Sequence, residues 1–229
     1  MIVVRNANER GLTQIDWLRS YHTFSFGDYY DENFMGFGSI RVINEDRVQP
    51  GKGFGTHAHR DMEIVSYVVS GALEHKDSMG TGSIIRPGEI QRMSAGTGVS
   101  HSEYNHSKDE IVHFLQIWIL PYKTGLTPSY EQKIIPKIKD QLILIGAQTG
   151  QDNTVTIHQK VSLYAAKLSA NTVLRHDINN RKGWVQIIKG KLDLNGKSLM
   201  SGDGAAFKDE QAIELKSSED AEILLFDLT

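Results

Sequence analysis

The sequence predicts an all-β protein in which antiparallel strands form two barrels. Residues 111–120 are a run of β-branched and aromatic residues that is apolar on nearly both faces, which is typical of a strand buried between layers. A strand–glycine–strand pattern around Gly71 recurs around Gly190, 119 residues later. Because a repeat of this length indicates a duplicated structural unit, we expect two barrels rather than one large β domain.

Turn residues place the other elements along the chain. Glycines and prolines between residues 51 and 98 mark short strands joined by tight turns. A short helix is predicted over residues 13–19. The Asn195-Gly196 pair predicts a two-residue hairpin turn, and residues 142–145 are expected to open the second barrel.

The stretch 121–136 contains proline, glycine and mixed charge, which favours a connection between the barrels. We therefore assign residues 1–125 to the first barrel. Residues 126–229 are assigned to a linker and the second barrel.

Composition limits the classes of function. The chain has no cysteine, which leaves only nitrogen and oxygen donors for a metal, and its net charge of −3 with no dense basic patch argues against nucleic-acid binding. The first ten residues carry a charge at position 5 and lack a signal-peptide core, and no stretch is apolar for long enough to span a bilayer. We expect a cytoplasmic protein that does not bind membranes and that is a monomer.

Two histidine-containing pairs predict a metal centre. His57 and His59 are separated by one residue, and after a further 41 residues His101 and Glu103 repeat that spacing. Residues two apart in a strand share one face, so each pair can reach a single ion. Strand pairing that brings the two pairs together would present three imidazoles and a carboxylate. This donor set is typical of a mononuclear transition-metal site with open positions.

The second half of the chain lacks these donors. At the repeat offset of 119 residues, His57 corresponds to His176, but His59 corresponds to Ile178. Residues 207–215 contain no histidine. We therefore predict that the second barrel holds no metal and that His176 is structural.

Two further residues have open interpretations. Gln116 interrupts the buried run 111–120, and a buried amide needs hydrogen-bond partners. It is either a satisfied core residue or a residue that orients a metal ligand. His22 lies among aromatic residues, which favours a packing role, with pocket lining as the alternative.

Several motifs resemble the pirin family of the cupin superfamily, and the likeness covers nearly the whole chain. It is closest to the bacterial pirin-like proteins described as quercetin 2,3-dioxygenases. The motifs are residues 8–11 (Asn-Glu-Arg-Gly), 21–26 (Tyr-His-Thr-Phe-Ser-Phe), 28–31 (Asp-Tyr-Tyr-Asp), 56–60 (Thr-His-Ala-His-Arg), 75–80 (His-Lys-Asp-Ser-Met-Gly), 93–98 (Met-Ser-Ala-Gly-Thr-Gly) and 101–104 (His-Ser-Glu-Tyr).

The resemblance implies a bicupin, with two antiparallel jelly-roll barrels face to face and metal only in the first. Its four ligands would be His57, His59, His101 and Glu103. Many cupins instead take their carboxylate ligand from the position of Glu63. In a pirin, Glu63 would be a polar barrel residue, or would surround the ligands together with Gln116. The expected ion is Fe²⁺, although these donors also suit Ni, Co, Mn, Cu or Zn.

The implied chemistry is oxygenation of a small aromatic substrate. Four protein ligands leave two octahedral positions, enough for a substrate oxygen and for water or dioxygen. Glu103 is the carboxylate placed to take the proton of a flavonol 3-hydroxyl. The resemblance implies that O₂ then opens the heterocyclic ring and carbon monoxide leaves. The sequence identifies no substrate-binding residues.

Two other functions stay open. The same ligands would serve a regulatory protein whose metal senses redox state and changes affinity for a protein partner, as the resemblance to eukaryotic nuclear pirins implies. They would also serve a non-oxygenase cupin, such as an isomerase or a sugar-binding module, that uses the metal as a Lewis acid.

Overall fold

The computed structural model describes residues 1–151 and 153–228, and within them the chain is almost entirely β. A 3-10 turn at Ala7–Glu9 accompanies the strands. In chain order the strands are β1 (Ile2–Arg5), β2 (Gly11–Ile15), β3 (Leu18–His22), β4 (Ile40–Val48), β5 (Gly53–His59), β6 (Glu63–Ser70), β7 (Leu73–Asp77), β8 (Gly82–Ile85), β9 (Glu89–Ser94), β10 (Val99–Asn105), β11 (Val112–Ile119), β12 (Ser129–Ile134), β13 (Ile143–Ala147), β14 (Val155–Thr156), β15 (Val161–Leu168), β16 (Val173–Asp177), β17 (Lys182–Lys189), β18 (Lys191–Leu194), β19 (Lys197–Met200), β20 (Gly204–Phe207), β21 (Ala212–Ser217) and β22 (Ala221–Leu228).

The chain divides into two compact units. The unit that we call the first barrel contains Gly11–Ile135 and Thr149–Gln159. Its strands form one sheet in the order β12-β9-β6-β11-β4-β3-β2 and a second in the order β5-β10-β7-β8. The unit that we call the second barrel contains Met1–Arg10, Pro136–Gln148 and Lys160–Thr229. Its strands pair in the orders β1-β20-β17-β22-β15-β13 and β16-β21-β18-β19.

A row of polar side chains crosses the larger sheet of the first barrel, one from each of six paired strands. It separates two hydrophobic clusters, because along β6 Ser66 lies between Ile64 and Val68, which belong to different clusters. Along β11, Gln116 lies between Phe114 of one cluster and Trp118, which packs against the other. In order across the sheet, the row consists of Gln132, Gln91, Ser66, Gln116, Asn44 and His22.

The second barrel has a different interior. Its core cluster is aliphatic and aromatic, and includes Ile187, Leu194 and Ile223, each fully buried. Side chains of this kind supply no metal donor atoms.

The strand β11 and the Asn195-Gly196 hairpin confirm the corresponding sequence predictions. β18 and β19 pair directly, and both turn residues have positive φ, 45° and 84°, as a type I′ turn requires. β13 begins one residue after the predicted start of the second barrel.

The predicted helix over residues 13–19 is wrong. This segment contributes to β2 and β3, which form a hairpin, and Leu18 pairs with Val48 of β4 and is buried. A seven-residue helix on the surface would be marginal alone, whereas the strand gains ladder hydrogen bonds and burial. Tertiary pairing therefore overrides the local signal.

The grouping into units differs from the predicted boundary at residue 125. β12 lies inside the predicted connection but pairs with β9 of the first barrel. β1, at the start of the chain, pairs with β20 of the second barrel. Both differences arise from pairing between strands far apart in sequence, which local composition does not report. In the part of the chain that the structure describes, no helix has the length and apolar character required to span a membrane.

Candidate metal centre

Three imidazoles meet on the smaller sheet of the first barrel. β5 and β10 pair antiparallel, and this register places His57 opposite His101. His59 lies two residues further along β5, on the same face as His57. The ring centroids are 4.5 Å apart for His57 and His101, 4.7 Å for His57 and His59, and 4.9 Å for His59 and His101. One ring nitrogen of each lies within 4.8 Å of those of the other two.

Hydrogen bonds indicate which nitrogens are free. His57 Nδ1 lies 2.8 Å from the carbonyl oxygen of Gly55 and must donate to it, so in the neutral ring His57 Nε2 carries the lone pair. His75 Nε2 donates to Asp77 at 3.0 Å, which leaves His75 Nδ1 as an acceptor for His101 Nδ1 at 3.4 Å. In the neutral ring, His101 Nε2 then also carries a lone pair.

These two lone pairs face each other across 3.1 Å. Without a cation or a proton between them this arrangement is repulsive. Two nitrogens bound at right angles to one metal, each at about 2.1 Å, would lie about 3.0 Å apart. The geometry therefore fits adjacent ligands of one metal ion.

The lowered pKa values of His59 and His101 also fit metal binding. Burial lowers the pKa of His59 to about 4, with the charge of His57 as a second cause. Burial lowers the pKa of His101 to about 2, helped by the charges of His57, His59 and His75. Both rings are neutral at pH 7, and neutral imidazole is the form that binds metals.

The chain Asp77–His75–His101 was not predicted from the sequence. Its His75 is fully buried, and Asp77 is held by the backbone N–H groups of Met79 and Thr81. A carboxylate behind an imidazole fixes the tautomer and orientation of the ring, here through a second imidazole. The two-residue spacing of His75 and Asp77 on β7 was the available signal, but nothing local placed β7 beside β10.

Glu103 lies two residues after His101 on β10. Its carboxylate is within 4.8 Å of ring nitrogens of His101 and His75. Ser66 donates to Oε1 at 3.2 Å, and Gln116 donates to Oε2. Burial raises the pKa of Glu103 to about 7 and the charge of Asp46 adds to this, while the two hydrogen bonds oppose the shift. Gln116 thus contacts a predicted ligand directly.

Glu63 does not face the ligands. It lies three residues before Ser66 on β6, so the two side chains point to opposite faces of the sheet, and Ser66 contacts Glu103. Glu63 accepts from the backbone and ring of His158, both at 3.2 Å, and lies 4.0 Å from Arg92. These contacts fit the interpretation of Glu63 as a polar barrel residue and not as a residue that surrounds the ligands.

His176, which corresponds to His57 at the repeat offset, lies beside Asp227 in the structure. Its Nε2 lies 3.0 Å from the Asp227 carboxylate, which also pairs with Arg181. The prediction that the second barrel holds no metal stays a prediction.

A cavity of about 120 Å³ adjoins the imidazoles. His22 forms part of its wall, held by Thr13 Oγ1 and Asn44 Oδ1 at 2.8 Å each. Its ring also packs 5.3 Å from Phe26, so the packing and lining interpretations both hold. The lining residues are Thr13, Leu18, Ser20, His22, Phe26, Asn44, Asp46, Phe54, His57, His59, Glu103, Gln116 and Trp118.

Close packing of β5 on β10 gives a first prediction, that Gly53→Ala destabilises the protein and weakens the metal centre. A Cβ at Gly53 would lie 2.2 Å from the carbonyl oxygen of Glu103 and 2.5 Å from Tyr104 Cα. These are backbone atoms, so the strands must separate. We expect a loss of about 1–3 kcal/mol in the free energy of unfolding, measured with urea, and weaker metal binding. Gly55→Ala is the matched control, since the nearest neighbour of its Cβ would be the Tyr104 hydroxyl at 3.8 Å. Equal effects of the two substitutions would contradict the prediction.

The buried carboxyl of Asp46 gives a second prediction. Burial raises its pKa from 3.8 to about 7, with the charge of Glu45 adding and a hydrogen bond from Ser20 opposing. Between these pH values the unfolded chain has released the proton while the folded chain retains it, so stability falls as pH rises. For the metal-free protein, we expect Asp46→Asn to remove on the order of 3 kcal/mol of this fall between pH 4 and 8. Urea unfolding at several pH values measures this, and an unchanged pH dependence in the variant would contradict it.

Comparison with known proteins agrees with this architecture. Residues 3–119 match the family model described as Pirin, and residues 144–228 match the one described as quercetinase C-terminal cupin domain. Quercetin 2,3-dioxygenase of Escherichia coli K12 is 47% identical over 229 residues, which covers 100% of this chain and 99% of that protein.

Two solved structures are similar along the whole chain. The crystal structure of YhhW from Escherichia coli has a TM-score of 0.97 and 47% identity, and covers 100% of this chain and 98% of that one. The structure of the bacterial pirin YhhW in complex with nickel(II) has a TM-score of 0.95 and the same identity, and covers 100% and 99%.

Two all-β units, with an imidazole cluster on one of them, define a bicupin. The chain belongs to the pirin family. The fold and family predicted from the sequence are therefore confirmed.

Proposed function

We propose that this protein is a metal-dependent dioxygenase of the quercetin 2,3-dioxygenase type, which cleaves the heterocyclic ring of flavonols with O₂. The name of the relative from Escherichia coli supports the activity. The observation that carries the proposal is the 3.1 Å approach of His57 Nε2 to His101 Nε2 beside a cavity. This supports a cation site next to a space for a substrate.

The metal would be held by His57, His59, His101 and Glu103. The nickel(II) complex of the related YhhW supports a divalent ion, and Fe²⁺ is the ion that we propose for turnover. When bound, such an ion supplies a Lewis acid with open positions for a substrate oxygen and for dioxygen. Neutral rings at His59 and His101 let it bind without competition from protons at pH 7.

Glu103 would act as the general base. Its carboxylate lines the cavity beside the imidazoles, where it could accept the proton of a flavonol 3-hydroxyl. The hydrogen bonds from Ser66 and Gln116 hold both carboxylate oxygens in place. Glu103 would therefore serve as a ligand at rest and as a base during turnover.

The aromatic part of the cavity would receive the flat substrate. Trp118 packs edge-on against His59 at 5.0 Å and against Phe26 at 5.3 Å. These rings enclose the space beside the imidazoles and reduce the access of water to the reacting atoms.

Oxygen uptake tests the proposal. The protein is reconstituted with Fe²⁺ without oxygen, and uptake is then measured with and without quercetin. We expect consumption that depends on quercetin. Absence of quercetin-dependent uptake with Fe, Ni, Co, Mn, Cu and Zn in turn would contradict the proposal and favour a regulatory or non-oxygenase role.

A further inference from the structure

One buried carboxyl group in the cavity has a side-chain oxygen without a partner. Asp46 is 3% exposed and lines the cavity beside the imidazoles. A hydrogen bond from Ser20 reaches its carboxylate, but within the described residues Oδ1 has no hydrogen-bond partner. A buried polar atom in this state costs free energy, so natural proteins keep few of them without a reason.

The register of the sheet explains why Asp46 faces the cavity. It lies two residues after Asn44 on β4 and opposite Ser20 on β3, and all three residues line the same wall. Glu45, between them, points to the other face, where it contacts His113 at 3.0 Å and Arg47 at 3.0 Å. The carboxyl of Asp46 is therefore directed at the space that a ligand would fill.

The size and walls of the cavity limit what that ligand can be. At about 120 Å³ it is close to the roughly 150 Å³ that holds one benzene ring and well below the roughly 300 Å³ or more of pockets for larger ligands. Phe26, Phe54 and Trp118 supply aromatic walls. A single flat ring fits these walls, and a hydroxyl on that ring would satisfy Asp46.

We infer that the cavity binds one hydroxylated aromatic ring of the substrate and that Asp46 accepts a hydrogen bond from its hydroxyl group. This inference rests on the proposed function and deepens it, because it names the substrate feature that the site selects. The other rings of a flavonol would lie outside this cavity, past the imidazoles that form part of its wall. A site built to bond a hydroxyl discriminates strongly against an analogue that lacks it.

Anaerobic binding measurements on the nickel-loaded protein test this without any turnover. Quercetin and 3-hydroxyflavone share the 3-hydroxyl and 4-carbonyl groups, but only quercetin carries hydroxyls on its outer rings. We expect Asp46→Ala to weaken quercetin binding at least tenfold and 3-hydroxyflavone binding less than threefold. Asp46→Leu keeps the approximate size and branching of the side chain but has no acceptor oxygen, so it guards against a cavity left by Ala, and it should reduce quercetin affinity in the same selective way.

Glu45→Gln is the matched control, since it changes the neighbouring carboxyl on the opposite face of β4. Both affinities should stay within twofold of the unsubstituted protein. An equal loss for both ligands in the Asp46 variants, or no loss for either, would overturn the inference. Because no oxygen is present, a failure of the dioxygenase proposal in oxygen uptake leaves this result interpretable.

Discussion

We expect the His59→Ala variant to lose its bound metal and, with it, quercetin-dependent oxygen uptake. The substitution leaves only His57 and His101 of the three imidazoles, whose rings are 4.5 Å apart. Even residues that only support a ligand change metal affinity by about 10–100-fold, so removal of a ligand should cost roughly 100-fold or more. Metal per chain, measured after loading and dialysis, gives the result.

His106→Ala is the control for this experiment. His106 is exposed and bonds to Glu74 at 3.0 Å, away from the cavity lining. This variant should bind metal as the unsubstituted chain does. Retention of a full metal equivalent by His59→Ala would contradict the proposed ligand set.

The Glu103→Gln variant should keep part of its metal but lose most of its turnover. The amide can still coordinate weakly through its oxygen, but it cannot accept the substrate proton. General base catalysis contributes about 10²–10⁴-fold, so we expect kcat to fall within this range. Metal content and oxygen uptake are measured on the same sample, which separates the loss of a base from the loss of a ligand.

Glu45→Gln again provides a control, because its carboxyl faces the opposite side of the sheet and contacts His113 and Arg47. It should retain normal kcat. Full activity in Glu103→Gln would refute the assignment of Glu103 as the base.

The sequence predicted the features that depend on the spacing of nearby residues and on the internal repeat. Strand alternation places His57 and His59 on one face, and the structure shows them together with His101. The repeat around Gly71 and Gly190 indicated two barrels, and the structure has two compact units.

The features that were missed depend on pairing between distant strands. Asp77 belongs to the site because β7 pairs with β10, and Asp46 belongs to it because β4 lies beside β3 and β11. The polar row joins residues as far apart as His22 and Gln132. No local periodicity reports such a register, and the same limitation explains the wrong helix over residues 13–19.

Anomalous diffraction from a crystal of the chain loaded with one equivalent of Ni²⁺ tests the central claim most directly. Data collected at the nickel absorption edge locate the ion without reference to any mechanism. We predict a single peak in the first barrel, within bonding distance of His57 Nε2, His101 Nε2 and a nitrogen of His59, with Glu103 as the fourth ligand. A peak at any other position, or no peak in a crystal of fully loaded protein, would contradict the account.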